Sequence, residues 1–125
     1  MTYDNLTSTV VPIQGTFDIA RARNSIRAMI SLRRWSANFN ARAATALTAL
    51  GELILLTGGN KTVPIRVEIH ECENRCGIML SCTVEASNSE PARWEAKQNN
   101  LRRAVDEFDI EEKISQLRIA VWVWQ

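Results

Sequence analysis

The sequence is short of the residues from which most catalytic sites and disulfide frameworks are built. It has one histidine, and it contains no recognisable Ser-His-Asp set, phosphate loop or pair of carboxylates in a plausible cleft, so little scope is left for acid-base catalysis. Its cysteines, Cys72, Cys76 and Cys82, are odd in number and close together. This spacing argues against the disulfide framework of a secreted protein.

The chain also lacks a strong charge of either sign and a long apolar run. Its formal net charge of +1 gives no bulk reason to expect nucleic acid or an anionic membrane as a partner. No apolar run reaches the roughly 20 residues of a membrane span, and residues 1–10 lack the basic and apolar regions of a signal peptide. We therefore expect a cytoplasmic protein whose 125 residues form a single domain, residues 1–125.

An apolar helix is the element around which the rest of the chain can be arranged. Residues 41–59 are apolar around most of the helix circumference, with Glu52 as the one ionisable residue between positions 43 and 56. Two interpretations of Glu52 stay open: a residue at a site, or a side chain that snorkels at the helix end. A buried carboxylate needs a partner, and we expect an arginine, with Arg21, Arg23 and Arg42 as the candidates, or backbone donors rather than a metal.

The period of the apolar residues predicts the other elements. Helical spacing predicts an amphipathic helix over residues 18–32 with Asp18 at its N-cap, and a second helix over residues 94–108. We expect residues 35–40 to form a loop and the charged residues 106–113 to form a solvent-exposed helix end and loop. Strands are predicted at residues 10–13, where Pro12 indicates an edge strand, at 63–69 and 78–84 as an antiparallel hairpin, and at 117–124.

This order of elements predicts the α+β class. The expected architecture is a two-layer sandwich with the helices on one face of a mixed, mostly antiparallel sheet. Alternation along the last strand sends Trp122 and Trp124 to the face without helices, where we expect a second copy or another partner to bury them. Alternatively, N-terminal residues such as Tyr3 and Leu6 cover the indoles, or the helices do.

Two further groups of side chains have both a structural and a functional interpretation. Arg21, Arg23 and Arg27 lie on the polar side of the first helix and form either a solvated face or a basic surface for an acidic partner. His70, Cys72 and Cys76 have a spacing that could hold zinc if a fourth ligand came from elsewhere. The alternative for the second group is a β-turn with incidental thiols, and we expect no metal.

Three stretches, in this order, share motifs with a known family. Residues 18–23 resemble an opening helix of the form "aspartate, two apolar, Ala-Arg", residues 48–53 resemble the start of a Glu-Leu-x-x-Asn helix, and residues 101–110 resemble an "arginine, apolar pair, Asp-Glu-Phe" signature. Trp124 matches a tryptophan that closes the last strand. Together they resemble the anti-sigma factor and serine-protein kinase branch of the GHKL (histidine-kinase-like) ATPases. The resemblance implies a GHKL-like fold and places Arg23 near a partner-contacting arginine.

The nucleotide-binding motifs of that family are degenerate in this sequence. Leu56 stands where an asparagine would hold Mg²⁺, and leucine cannot ligate a cation. An expected Asp-x-Gly-x-Gly aligns with Glu85, Ser87 and Ser89 at its three defining positions, so both glycines are missing. The resemblance makes Glu52 the vestigial general base of a pocket that would have lost ATP and Mg²⁺.

Two hypotheses of function follow. The first is a regulatory protein-binding module that resembles an anti-sigma factor, has lost ATP binding and kinase activity, and forms a homodimer. Its partner would be a sigma factor or an anti-anti-sigma-like protein, bound through Arg21, Arg23, Arg27, Trp122 and Trp124. The alternative is a divergent serine-protein kinase that depends on ATP and Mg²⁺. The missing metal ligand favours the first hypothesis.

Overall fold

The computed structural model describes residues 8–58, 61–71, 74–85 and 91–125. Their fold is α+β, as predicted from the sequence. Strand residues alternate between buried and exposed along β2, β3 and β5, which is the pattern of a sheet covered on one face. The elements follow the order β1 (Ser8–Ile13), α1 (Thr16–Ser31), α2 (Ala37–Gly58), β2 (Val63–Glu71), β3 (Cys76–Glu85), α3 (Pro91–Ala104), β4 (Glu107–Lys113) and β5 (Gln116–Trp124).

The strands form one sheet in the order β1-β2-β3-β5-β4. Every neighbouring pair in this sheet is antiparallel, so the parallel pairing that a mixed sheet would need does not occur among these strands. β1 and β4 are the edge strands, and β1 carries Pro12 as predicted. The register aligns Val67, Leu80 and Val121 across the central strands, and these side chains are buried against the helices.

α2 is the centre of the helical layer. It contacts α1, α3 and the sheet, and Leu47, Leu50 and Leu53 are fully buried in the core. By length and composition alone, the segment Ala37–Thr57 would qualify as a membrane span, but it contains Arg42 and Glu52 and 44% of its most apolar stretch is buried inside the protein. Its packing against two helices and a sheet accounts for this apolar content, because a core helix buries most of its circumference.

All three predicted helix starts need correction, and α3 begins at Pro91, three residues before its predicted start. α2 begins at Ala37 and includes residues that we expected in a loop, because the Ser36 hydroxyl accepts a hydrogen bond from the Phe39 N–H at 3.1 Å and caps the first turn. α1 begins at Thr16, two residues before the predicted cap. Asp18 therefore lies inside the first turn, and its carboxylate accepts hydrogen bonds from the backbone N–H groups of Gln14 and Gly15.

The prediction for residues 94–113 is wrong at its C-terminal end. α3 stops at Ala104, and the charged run that we expected as a helix end and loop forms the edge strand β4. Phe108 and Ile110 alternate with charged residues there and pack against the core from the sheet's edge. The chain therefore has one more strand than the sequence analysis predicted.

Candidate functional site

A groove runs along the outer side of α2 between α1 and α3. Its floor consists of small side chains that recur at helical spacing, its walls come from Arg23 on α1 and Asn100 on α3, and its volume is about 500 Å³. One end is closed by Glu52. The floor residues are Ala41, Ala44, Thr45, Thr48 and Ala49.

Glu52 pairs with a lysine and is not buried. Its carboxylate lies 3.3 Å from the Lys97 ammonium on α3, and 45% of its side chain is exposed. The predicted partners Arg21, Arg23 and Arg42 are therefore wrong. The reason is geometric: Glu52 faces α3, a helix whose approach the local sequence around Glu52 does not reveal.

The other end of the groove is closed by a clamp that connects α2, β4 and β5. The Arg42 guanidinium donates to the Asp106 carboxylate at 2.6 Å and to the Trp124 carbonyl at 2.8 Å, while the same carboxylate accepts from the Trp124 N–H at 2.7 Å. Partial burial raises the pKa of Asp106, but these donors and the charges of Arg42 and Arg75 outweigh it, so the pKa is lowered overall. The resemblance assigned no role to Asp106 beyond its place in the Asp-Glu-Phe signature.

Among the described residues assigned to a vestigial nucleotide pocket, Glu52 and Glu85 line different cavities. Glu85 lines a separate cleft of about 180 Å³ together with Thr57 and Gln116, and its carboxylate pairs with Lys61 at 2.6 Å. Leu56 is half-buried near the end of α2 and lines neither cavity. Ser87 and Ser89 lie outside the described residues.

The three arginines of α1 have different surroundings. Arg23 faces the groove, whereas the Arg21 guanidinium stacks over the ring of Phe17, which is 71% exposed, at 5.3 Å from its centroid. Arg27 is exposed one turn beyond Arg23. None of the three forms an ion pair with another residue in the described part of the chain.

The sheet face turned away from the helices, here called the open face, carries both tryptophans of β5. Trp122 lies opposite Met79, and Trp124 lies opposite Gly77, whose missing side chain leaves room for the strand's last residue. The interpretation in which helices cover the indoles is therefore wrong. Tyr3 and Leu6, the other proposed cover, lie outside the described residues.

Polar side chains surround Trp124, and both tryptophans are half-buried. The Arg75 guanidinium lies 4.1 Å from the centroid of the Trp124 ring, His70 meets the ring edge-to-face, and the indole N–H donates to Glu107. The end of β5 therefore presents an indole ring surrounded by charged and polar side chains, not two isolated exposed indoles.

The possible zinc ligands do not converge. His70 pairs with Gly77 and points to the open face, whereas Cys76 pairs with Glu71 at the next position and points to the opposite face. Cys72 lies outside the described residues, within which no group of three metal-ligating side chains occurs. Cys82 also points toward the helices, and burial raises the pKa of its thiol to about 12.

The comparisons with known proteins do not connect this chain to a family. A scan against protein-family models and a search of curated proteins both find no match. The resemblance to the GHKL ATPases thus rests on the motifs of the sequence.

Proposed function

We propose that this chain is a cytoplasmic regulatory protein-binding module, similar in design to an anti-sigma factor and without nucleotide chemistry. The observation that carries the proposal is the separation of Glu52 and Glu85. Each lines its own cavity, and each already has a lysine partner. A nucleotide site of the GHKL type would need both carboxylates in one pocket, one toward the γ-phosphate and the other toward the base.

The surfaces of the molecule support binding to another protein. α1 presents arginines that no described carboxylate neutralises, and the open face presents Trp122, Trp124 and Met79. Arginine and aromatic side chains are enriched where proteins associate. We propose a sigma factor or an anti-anti-sigma-like protein as the partner of the helical side and a second copy of the chain as the partner of the open face.

Thermal unfolding with ATP and Mg²⁺ tests the loss of nucleotide binding. A ligand at free concentration L that binds the native state stabilises it by RT ln(1 + L/Kd) and so raises the melting temperature, and since we propose that ATP does not bind, we expect no rise at millimolar ATP. Mg²⁺ alone and ATP with a chelator are the controls. A saturable rise that needs both components would favour the alternative, a divergent serine-protein kinase, and Glu52→Gln would then have to abolish phosphotransfer.

Light scattering tests the homodimer. We expect the wild type to have twice the monomer mass and Trp122→Ala/Trp124→Ala to be monomeric. Ile114→Ala is the matched control, because Ile114 is an apolar residue that is 95% exposed at the β4–β5 turn, away from the open face. A monomeric wild type would reject the homodimer.

Co-purification tests the protein partner. The chain is co-expressed with the sigma factor or anti-anti-sigma-like protein encoded beside its gene, and we expect a stable stoichiometric complex. The same experiment with Arg21→Glu/Arg23→Glu/Arg27→Glu should show a weaker complex, since these charges face outward. Failure to bind any such protein would reject this function.

A further inference from the structure

We propose that the groove along α2 is the docking site for an acidic amphipathic helix of the partner protein. This inference rests on the function proposed above and adds which segment of a partner is recognised and where. The groove joins a second depression of about 270 Å³ that is lined by Arg42, Arg103 and Asp106, so it continues from Glu52 to the clamp.

The length of the groove fits about three helical turns. Ala41 and Glu52 are the floor residues at its two ends, and a rise of 1.5 Å per residue puts them about 16 Å apart along α2. Between them the floor has only alanine and threonine side chains. Such a floor lets the backbone of another helix approach to about the 8–10 Å that separates packed helix axes.

The backbone around the groove excludes an extended peptide. Between Ala41 and Glu52 the groove is lined by residues of helices, where most N–H and C=O groups are already paired within the helix. A strand laid there would leave its own backbone groups unpaired as it lost water, which costs free energy for each group. A helix satisfies these groups internally and can present an apolar stripe to the floor.

The charges along the rim of the groove indicate which side chains should flank the apolar stripe of the bound helix. The two acidic groups at the groove ends, Glu52 and Asp106, are paired with Lys97 and Arg42. Arg23 on the α1 wall has no carboxylate partner among the described residues, and Arg103 on the α3 wall donates only to the neutral Asn100 amide. Both walls thus carry a positive charge that no carboxylate in the described part of the chain compensates, which fits a helix with carboxylates on both sides of its apolar stripe.

A designed peptide provides the direct test. The probe is a fluorescein-labelled amphipathic helix of about five turns, with Leu and Ala on one face and Glu on both flanks. A peptide of the same composition in scrambled order and one with Lys in place of Glu are the controls. We expect fluorescence anisotropy to show saturable binding of the acidic helix, with binding that weakens as salt is added, and at least about tenfold weaker binding of both controls.

Variants of the protein locate the binding site. Arg23→Glu should weaken binding of the acidic helix about tenfold, whereas Arg21→Glu, the same change on the other side of α1, should change it less than about twofold. Thr45→Trp fills the floor at an exposed position and should abolish binding while the melting temperature stays unchanged. Equal losses for Arg21→Glu and Arg23→Glu, or full binding by Thr45→Trp, would overturn the inference.

Other occupants and the proposed function give separate outcomes. If Thr45→Trp changes the mass of the protein in light scattering, a second copy occupies the groove and the inference fails. If the partner complex forms equally well with wild type and Thr45→Trp, the protein-binding function stands and the groove is not its site. If the acidic helix binds the wild type and not Thr45→Trp, but no partner complex forms, the inference stands and the assignment to a sigma-factor pathway fails.

Discussion

The helical layer and the open face of the sheet differ in the balance of their charges and in how much of that charge is paired. Among the described residues, the helices and the α1–α2 connection contain only three acidic residues, Asp18, Glu52 and Glu95, while arginine occurs in every helix. The open face instead carries both signs, with carboxylates along its β4 edge and ion pairs such as Arg75–Glu107 and Lys113–Glu111.

This difference shows that a formal net charge of +1 is the sum of two unlike surfaces. A partner meets one surface at a time, and charges beyond about 10 Å are screened at physiological salt. The near-neutral composition therefore does not exclude an acidic partner for the helical layer. The composition excludes only a strong electrostatic potential of one sign around the whole molecule.

The largest expected effect is a difference in thiol reactivity between the two faces of β3. Cys82 faces the helices, and with a pKa raised from 9.0 to about 12 its thiolate fraction at pH 8 falls about a thousandfold. We expect iodoacetamide to leave Cys82 unmodified in the native protein, while the introduced thiol of Thr83→Cys, one position along, is labelled readily on the open face. Peptide mass spectrometry measures both. Comparable rates at the two positions would mean that the helices do not cover one face only.

Alanine substitution at one glycine in each layer tests how well that layer tolerates an added methyl group. A Cβ at Gly77 would collide with the carbonyl of Val123 and lie 2.9 Å from the Trp124 Cα, so only backbone movement could admit it. We expect Gly77→Ala to lower the free energy of unfolding by about 3 kcal/mol.

A Cβ at Gly51 would meet the side chain of Ile19 at 2.7 Å. Since Ile19 can change rotamer and alanine favours helix over glycine, we expect Gly51→Ala to cost about 1 kcal/mol or less. Urea unfolding of both variants measures the difference. A larger loss for Gly51→Ala would show that the helical layer is the less adaptable of the two.

The clamp at Asp106 joins the two layers. Breaking it should have a smaller effect on the free energy of unfolding, and that effect should depend on pH. Asp106→Asn removes a charged acceptor for Arg42 and Trp124, and because the pair is partly exposed we expect a loss of about 1 kcal/mol at pH 7. The folded pKa is lowered, so the contribution is present above the unfolded pKa of about 3.9 and is lost as the pH falls through the folded pKa.

Unfolding free energies measured from pH 7 down to pH 2 test this sign. The difference between wild type and Asp106→Asn should be constant near neutrality and shrink below about pH 4. Asp109→Asn, three residues further along on strand β4, is the matched control, and it should show no such difference. A difference that grew on acidification would contradict the assigned linkage.

The exposed arginines of α1 should have the smallest effect on stability. Arg27→Ala removes no ion pair formed with the described residues, so we expect the free energy of unfolding to change by less than about 0.5 kcal/mol. Arg42→Ala, which breaks the clamp, is the comparison and should cost more. If Arg27→Ala destabilised as much, the arginine would belong to the fold rather than to a binding surface.

The class and most of the elements could be predicted because burial imposes a period on the sequence. β2, β3 and β5 alternate cleanly, since each has one face against the helices. β4 was missed because Leu101, Val105 and Phe108 continue the helical spacing of α3, and because an edge strand buries too little for a clear alternation. The Ser36 cap was the signal that could have placed the start of α2.

The candidate site was less predictable because it depends on pairings between distant parts of the chain. Glu52 was singled out as a buried carboxylate that needs a partner, but its side chain is 45% exposed and it pairs with Lys97, which lies on a helix whose approach only the fold reveals. Likewise, the spacing of His70 and Cys76 left a shared metal open as the less favoured interpretation, and only the register of the hairpin shows that the two side chains point to opposite faces. The separation of charge between layers has no local signature at all.

The position of β5 has a consequence for how the chain folds during its synthesis. β4 is an edge strand and pairs only with β5, which follows it in the sequence. As the polypeptide leaves the ribosome, residues 107–113 emerge before their partner exists, and an unpaired strand readily joins another chain. Their acidic side chains, at positions 107, 109, 111 and 112, repel copies of the same segment on neighbouring nascent chains until β5 inserts between β3 and β4.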